Sequence, residues 1–123
     1  MNNMQSKEEI LNLISHATCT GKYHKFSSVP RFPLITDGVL ALAEAGECYW
    51  FLDLIGSYQN NKKLDKSFQV WKLTVHPESS TAVVEGYNDM KPIITQEIPY
   101  TDFPLSYLKL FLVDGVILLP SEY

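Results

Sequence analysis

The longest apolar stretch in the chain, ITDGVLALAEAGECYWFLDLIGSY at residues 35–58, limits the possible folds more than any other segment. Thr36 carries a hydroxyl able to accept from an unpaired amide of a first helical turn, and Asp37 just inside meets the positive end of a helix dipole. A helix is therefore expected to start near Asp37. Val39, Leu40, Leu42 and Ala43 spread around most of its circumference, with Glu44 the single charge between Val39 and Ala45, so this helix has little face left for water. Gly46 is placed to take the left-handed conformation that ends helices, or to form a shallow kink in one longer element. The reading with two helices is preferred.

In the second helix Trp50, Leu54 and Tyr58 recur every four residues, with Phe51 and Ile55 one position on, giving one broad apolar stripe. Asp53 falls beside Trp50 at the edge of that stripe. It is the carboxylate expected to be half buried.

The 123 residues fit one domain able to bury a core without disulfides or a structural metal. Glu44, Glu47 and Asp53 interrupt the richest apolar region, so no membrane span is expected. The opening MNNMQSKEEI has neither a basic start nor an apolar run, and a cytoplasmic location is expected. Cys19 and Cys48 form no ligand spacing and are read as reduced, packed thiols. A net charge of −4 argues against nucleic acid or an anionic membrane as partner, while leaving room for a local basic patch.

Ahead of the central block, Ser6 and Glu9 form a capping-box pattern before Ile10, Leu11 and Ile14, which predicts a short amphipathic helix over 7–16 on the outside of the fold. TCTGKYHKF at 18–26 suits a strand with Gly21 as a bulge, and Pro30 and Pro33 make 27–34 an ordered loop. Beyond the block, NNKKLDK at 60–66 is a polar connection. Trp71, Leu73 and Val75 alternate with Lys72, Thr74 and His76, a half-buried strand at 68–75. Turns at 76–80 and at Asn88-Asp89 then lead to strands at 81–87 and 93–98, an antiparallel meander. Asp114-Gly115 between apolar runs is a two-residue hairpin signal, which places strands at 106–113 and 116–119. The expected architecture is α+β: an antiparallel sheet of about five or six strands, two central helices packed on one face, and a short N-terminal helix.

The ordered set TDGV (36–39), YWFLDLIGSYQ (49–59), FQVWKLTV (68–75), YTDFPL (100–105) and LPSEY (119–123) resembles domain-of-unknown-function family 6876, an uncharacterised family of small bacterial proteins and mobile elements. The resemblance covers the chain from about Thr18 onward. It implies a single-domain cytoplasmic protein and brings no activity, ligand or catalytic residue.

Function must then be argued from the residues. Asp37, Asp53, Asp102 and Glu122 are available for acid/base or metal work, with His24 and His76 as ligands or shuttles. Each has a structural account that is preferred to a catalytic one. Asp37 can serve the helix start, Asp102 can close an Asx turn before Pro104, and Glu122 can be a solvated terminal residue. Asp53 at an aromatic rim can accept a hydrogen bond from a Tyr or Trp. No metal-binding spacing, nucleophile elbow or phosphate-binding glycine motif is present, and neither a metal nor a cofactor is expected. Lys22, Tyr23, Lys25, Arg31 and Phe32 form a basic, aromatic grouping suited to a binding surface, a second basic group lies at Lys62, Lys63 and Lys66, and the seven tyrosines suit contact surfaces. The reading is a non-catalytic binding or interaction module acting through the sheet or the loops at 27–34 and 60–67, its partner another protein or a second copy of the chain. The alternative is a small metal-assisted hydrolase using Asp53, Asp102 and His24.

Overall fold

The computed structural model describes residues 7–16, 22–29, 32–88 and 90–123. In chain order these form α1 (Lys7–His16), β1 (Tyr23–Lys25), β2 (Leu34–Thr36), α2 (Asp37–Ala45), α3 (Tyr49–Ser57), β3 (Phe68–His76), β4 (Thr81–Asn88), β5 (Lys91–Ile98), β6 (Tyr107–Val113) and β7 (Val116–Leu118). Single 3₁₀ turns follow α3 (Tyr58–Asn60) and β7 (Pro120–Glu122).

The strands join in the order β1-β2-β7-β6-β3-β4-β5, and every pair is antiparallel except β2 with β7. The sheet is thus mixed and seven-stranded, where an antiparallel sheet of five or six strands is the sequence expectation. The difference lies in β2. It is three residues long, too short to display a period, and runs directly into α2. Thr36 ends the strand and caps the helix at once, its Oγ1 accepting from Val39 N at 3.2 Å.

The α2–α3 junction also departs from expectation. Gly46 has an ordinary right-handed φ of −97°, and the left-handed residue is Glu47 at φ 49°. Cys48 N donates back to Ala43 O at 3.1 Å, the six-to-one bond of a Schellman ending with Glu47 in the left-handed position. Gly46 is required for space instead: a Cβ there would lie 2.7 Å from the ring of Phe103.

In α3 the buried arc is Phe51, Leu52, Ile55 and Gly56, while Trp50, Leu54 and Tyr58 are only partly buried. The stripe is centred one residue later than its four-residue recurrence implies. Asp53, about 200° round the helix from Phe51, is consequently exposed and not half buried. At α1 the helix is where expected, but Ile10 is fully buried, so the helix is docked through Ile10, Leu13 and Ile14 while Leu11 stays exposed.

β3 sets the two faces of the sheet. Gln69, Trp71, Leu73 and Val75 are buried, matched by Ala82 and Val84 on β4 and by Leu108, Leu110 and Leu112 on β6, and together with Ile35 and Ile117 they meet the apolar arcs of the helices. The opposite face carries Val70, Lys72, Thr74, Glu85, Tyr87, Lys109 and Phe111, all partly exposed. Asp114 (φ 49°) and Gly115 (φ 84°) form the two-residue turn between β6 and β7, as the Asp-Gly pair predicts. The bulge expected at Gly21, the thiol of Cys19 and the turn residue Asp89 lie outside the described residues.

Candidate functional site

The acidic and histidine candidates are dispersed over several elements. His24 on β1 pairs with Asp37 at the start of α2, a contact that ties the sheet edge to the helix. Asp53 stands exposed on α3 and Asp102 is exposed between β5 and β6. The turn at Asp102 is closed by its neighbour, Thr101 Oγ1 accepting from Phe103 N at 3.1 Å, in place of the Asx turn expected before Pro104. Among the described residues no group of three His, Cys, Asp or Glu side chains is placed to hold a metal ion.

Glu122 is not a solvated terminal residue. Its Oε1 accepts from Thr36 Oγ1 at 2.7 Å and from Leu119 N at 2.9 Å, and its Oε2 is buried without a partner. With Tyr23 and Tyr123, Glu122 lines a depression of about 390 Å³ beside β7.

The basic grouping around β1 also separates. Lys22, Tyr23 and Lys25 are exposed, Arg31 lies outside the described residues, and Phe32 is partly buried, tilted against Phe26 at 5.9 Å with its ring over Gly56. Phe32 therefore packs the loop onto α3. Of the second group, Lys66 Nζ donates to Gln59 O, which holds it against the end of α3.

The uncovered face of the sheet brings together residues that the sequence does not flag. Register places Lys72 of β3 directly opposite Lys109 of β6 on one side and Glu85 of β4 on the other. Like charges opposite one another cost stability unless something relieves them. Here each ammonium lies over a ring, Lys72 Nζ 4.5 Å from the centroid of Tyr87 and Lys109 Nζ 5.6 Å from that of Phe111. A shallow cavity of about 250 Å³ opens between Val70, Lys72, Tyr87, Met90 and Lys109, with Met90 almost wholly exposed at 92%. Desolvation and then the Glu85 carboxylate hold the phenols of Tyr87 and Tyr107 above their ordinary value, so both remain neutral hydrogen-bond donors. Beyond Phe111, Phe68 and Tyr123 complete a cluster of three rings with centroids 5.4 to 5.5 Å apart. The half of β3 facing away from the core is legible in the alternation of Lys72 and Thr74. That Lys109 meets Lys72 depends on the β3–β6 register, which no local signal specifies.

This surface lies within a known family boundary. Residues 8–123 match a family of unknown function, DUF6876. The chain belongs to the DUF6876 family. The match runs from α1 to the ring cluster at Tyr123, so both halves of the uncovered face fall inside the DUF6876 region. No curated protein and no solved structure matches the chain. Among the described residues, no helix of this DUF6876 chain is long and apolar enough to cross a membrane.

Proposed function

We propose that the protein is a non-catalytic, cytoplasmic binding module that holds a partner protein against the uncovered face of its sheet. The observation that carries this reading is the constellation of Lys72 and Lys109, adjacent in register, beside Tyr87, Phe111, Tyr107 and the exposed Met90. Aromatic side chains supply apolar contact area at modest entropic cost, methionine supplies adaptable contact, and the paired lysines supply a charge that an acidic group of a partner would relieve. Glu85 within the same row, and a net charge of −4, favour a partner of mixed polarity over a polyphosphate strand. We further infer that this partner is a host protein, in keeping with the bacterial and mobile-element setting that the sequence resemblance implies.

A photo-crosslinking residue at position 107, on the face, and another at position 53, on α3, test the reading in cells that express the protein. Protein adducts should form from position 107 and not from position 53. The Lys72→Glu, Lys109→Glu double variant should lower their yield roughly tenfold. Adducts confined to position 53 would move the contact surface to the helices, and nuclease-sensitive adducts at 107 would replace the protein partner with nucleic acid.

A further inference from the structure

On the uncovered face the charges are sorted by strand. Register puts Lys109 of β6, Lys72 of β3, Glu85 of β4 and Thr95 of β5 in one row across the sheet, and Tyr107, Thr74, Val83 and Glu97 in the next row on that face. The cations therefore stand on β6 and β3 and the carboxylates on β4 and β5, with the division between β3 and β4. Among the described residues no ion pair crosses it: Lys72 lies over the Tyr87 ring, and Tyr87 Oη donates to Glu85 Oε2 at 3.3 Å. The apolar groups are sorted in the same way. The almost wholly exposed Met90 lies in the turn between β4 and β5, whereas Phe68 and Phe111, clustered with Tyr123, belong to β3 and β6.

A face divided in this way is complementary to itself. We propose that two copies of the chain stack face to face, about a two-fold axis that lies between the sheets and runs along the strands over the β3–β4 boundary. That axis carries β3 of one copy over β4 of the other, and β6 over β5. Lys72 then stands over Glu85 of the second copy, and by symmetry the same pair recurs. Lys109 is set over Thr95, next to Glu97, which relieves the lysine pair, and Val70 meets Tyr87. Met90 reaches the ring cluster of the other copy, where a thioether makes a favourable contact. Packed sheets lie about 10 Å apart with their strands within about 30° of each other, a gap that lysine and glutamate side chains span from opposite sides. An axis running across the strands instead keeps each strand over its own copy, lysines over lysines and carboxylates over carboxylates, and is repelled. The pair is closed, because each copy has one such face and the axis uses both. The dimer rests on this pattern alone. Its consequence rests also on the partner reading above: the stacked pair covers the surface that a host protein takes, so the copies must part before it binds.

The test is sedimentation equilibrium of the purified full chain. The unaltered protein should be in monomer–dimer equilibrium. Lys72→Glu alone sets carboxylate over carboxylate at both symmetric places, and Glu85→Lys alone sets ammonium over ammonium, so each should weaken the dimer about tenfold. An equimolar mixture of the two single variants should recover it, since every carboxylate at these positions then meets an ammonium of the other copy. Within each chain the altered row stays as repulsive as before, so recovery on mixing reports contact between copies and not folding. Met90→Asp, at an almost wholly exposed position that folding does not use, should weaken the dimer by a similar factor. A protein monomeric at every concentration, a dimer indifferent to the reversals or to Met90→Asp, or a mixture no tighter than its components would each overturn the stacked pair. Only the purified chain is present, so a monomer here leaves the host adducts at position 107 standing, and their absence leaves the dimer standing.

Discussion

Trp71 has its indole ring against Gly86, where a Cβ would come within 2.7 Å, its Nε1 donating to Gln69 Oε1 at 2.9 Å, and Tyr58 stacked at 6.0 Å. Gln69 and Gln59 exchange a reciprocal pair of side-chain amide hydrogen bonds at 2.9 Å, and Gln59 also donates to Ile55 O at 3.0 Å, so this buried polar group is anchored to α3 and β3 together. Trp71→Ala should cost about 3–5 kcal/mol in chemical denaturation, since it empties a fully buried site and strips Gln69 of a partner. Trp50→Ala, at a partly buried position, should cost roughly half as much or less. Equal losses would return the core's centre to α3. Cys48 offers a second residue-scale test. Burial pushes its thiol up from an ordinary 9.0 to about 12, against the lesser pull of a backbone hydrogen bond. The folded chain therefore keeps a proton that the unfolded chain releases between those values, and stability must fall as pH rises through that window. In a Cys19→Ser background, Cys48 should resist a thiol reagent at pH 8 until the protein is denatured, and Cys48→Ala should flatten the alkaline loss of stability. Rapid native-state labelling would contradict the burial.

At the scale of elements, the Schellman ending between α2 and α3 joins a strained residue to a spatial constraint. Glu47 occupies a left-handed conformation that favours glycine, and it is exposed. Glu47→Gly should therefore raise stability by about 0.5–1 kcal/mol, whereas Gly46→Ala should lower it by driving a methyl into Phe103. Thermal melts of the two variants should shift in opposite directions. What the sequence discloses follows the same division. The start of α2 is legible because Thr36 and Asp37 act within one turn, and the β6–β7 hairpin because Asp-Gly acts within two residues. β2 is not legible: three residues carry no period, and the partner that makes them a strand, β7, is remote in the chain. Asp53 fails by one position, because a four-residue recurrence fixes the pitch of a stripe more firmly than its centre.

For the molecule as a whole, the helices cover one face of the sheet and leave the other with partly exposed lysines and tyrosines beside the almost wholly exposed Met90. The basic residues that suggest binding from sequence, Lys22, Lys25 and Arg31, lie close together in the chain. Those of the proposed surface, Lys72, Tyr87, Lys109 and Phe111, come from three strands and converge only through register, so legibility fails where the chemistry depends on pairing and not on spacing. The parallel β2–β7 pair bears on how the chain is made. During synthesis β2 emerges roughly eighty residues ahead of β7, so the three-residue strand and its helix have no sheet to join for most of translation. The meander of β3, β4 and β5, followed by β6, has its neighbours close at hand and can assemble first. Ile35, Val39 and Phe51, all buried in the finished fold, therefore lack part of their cover until β7 arrives.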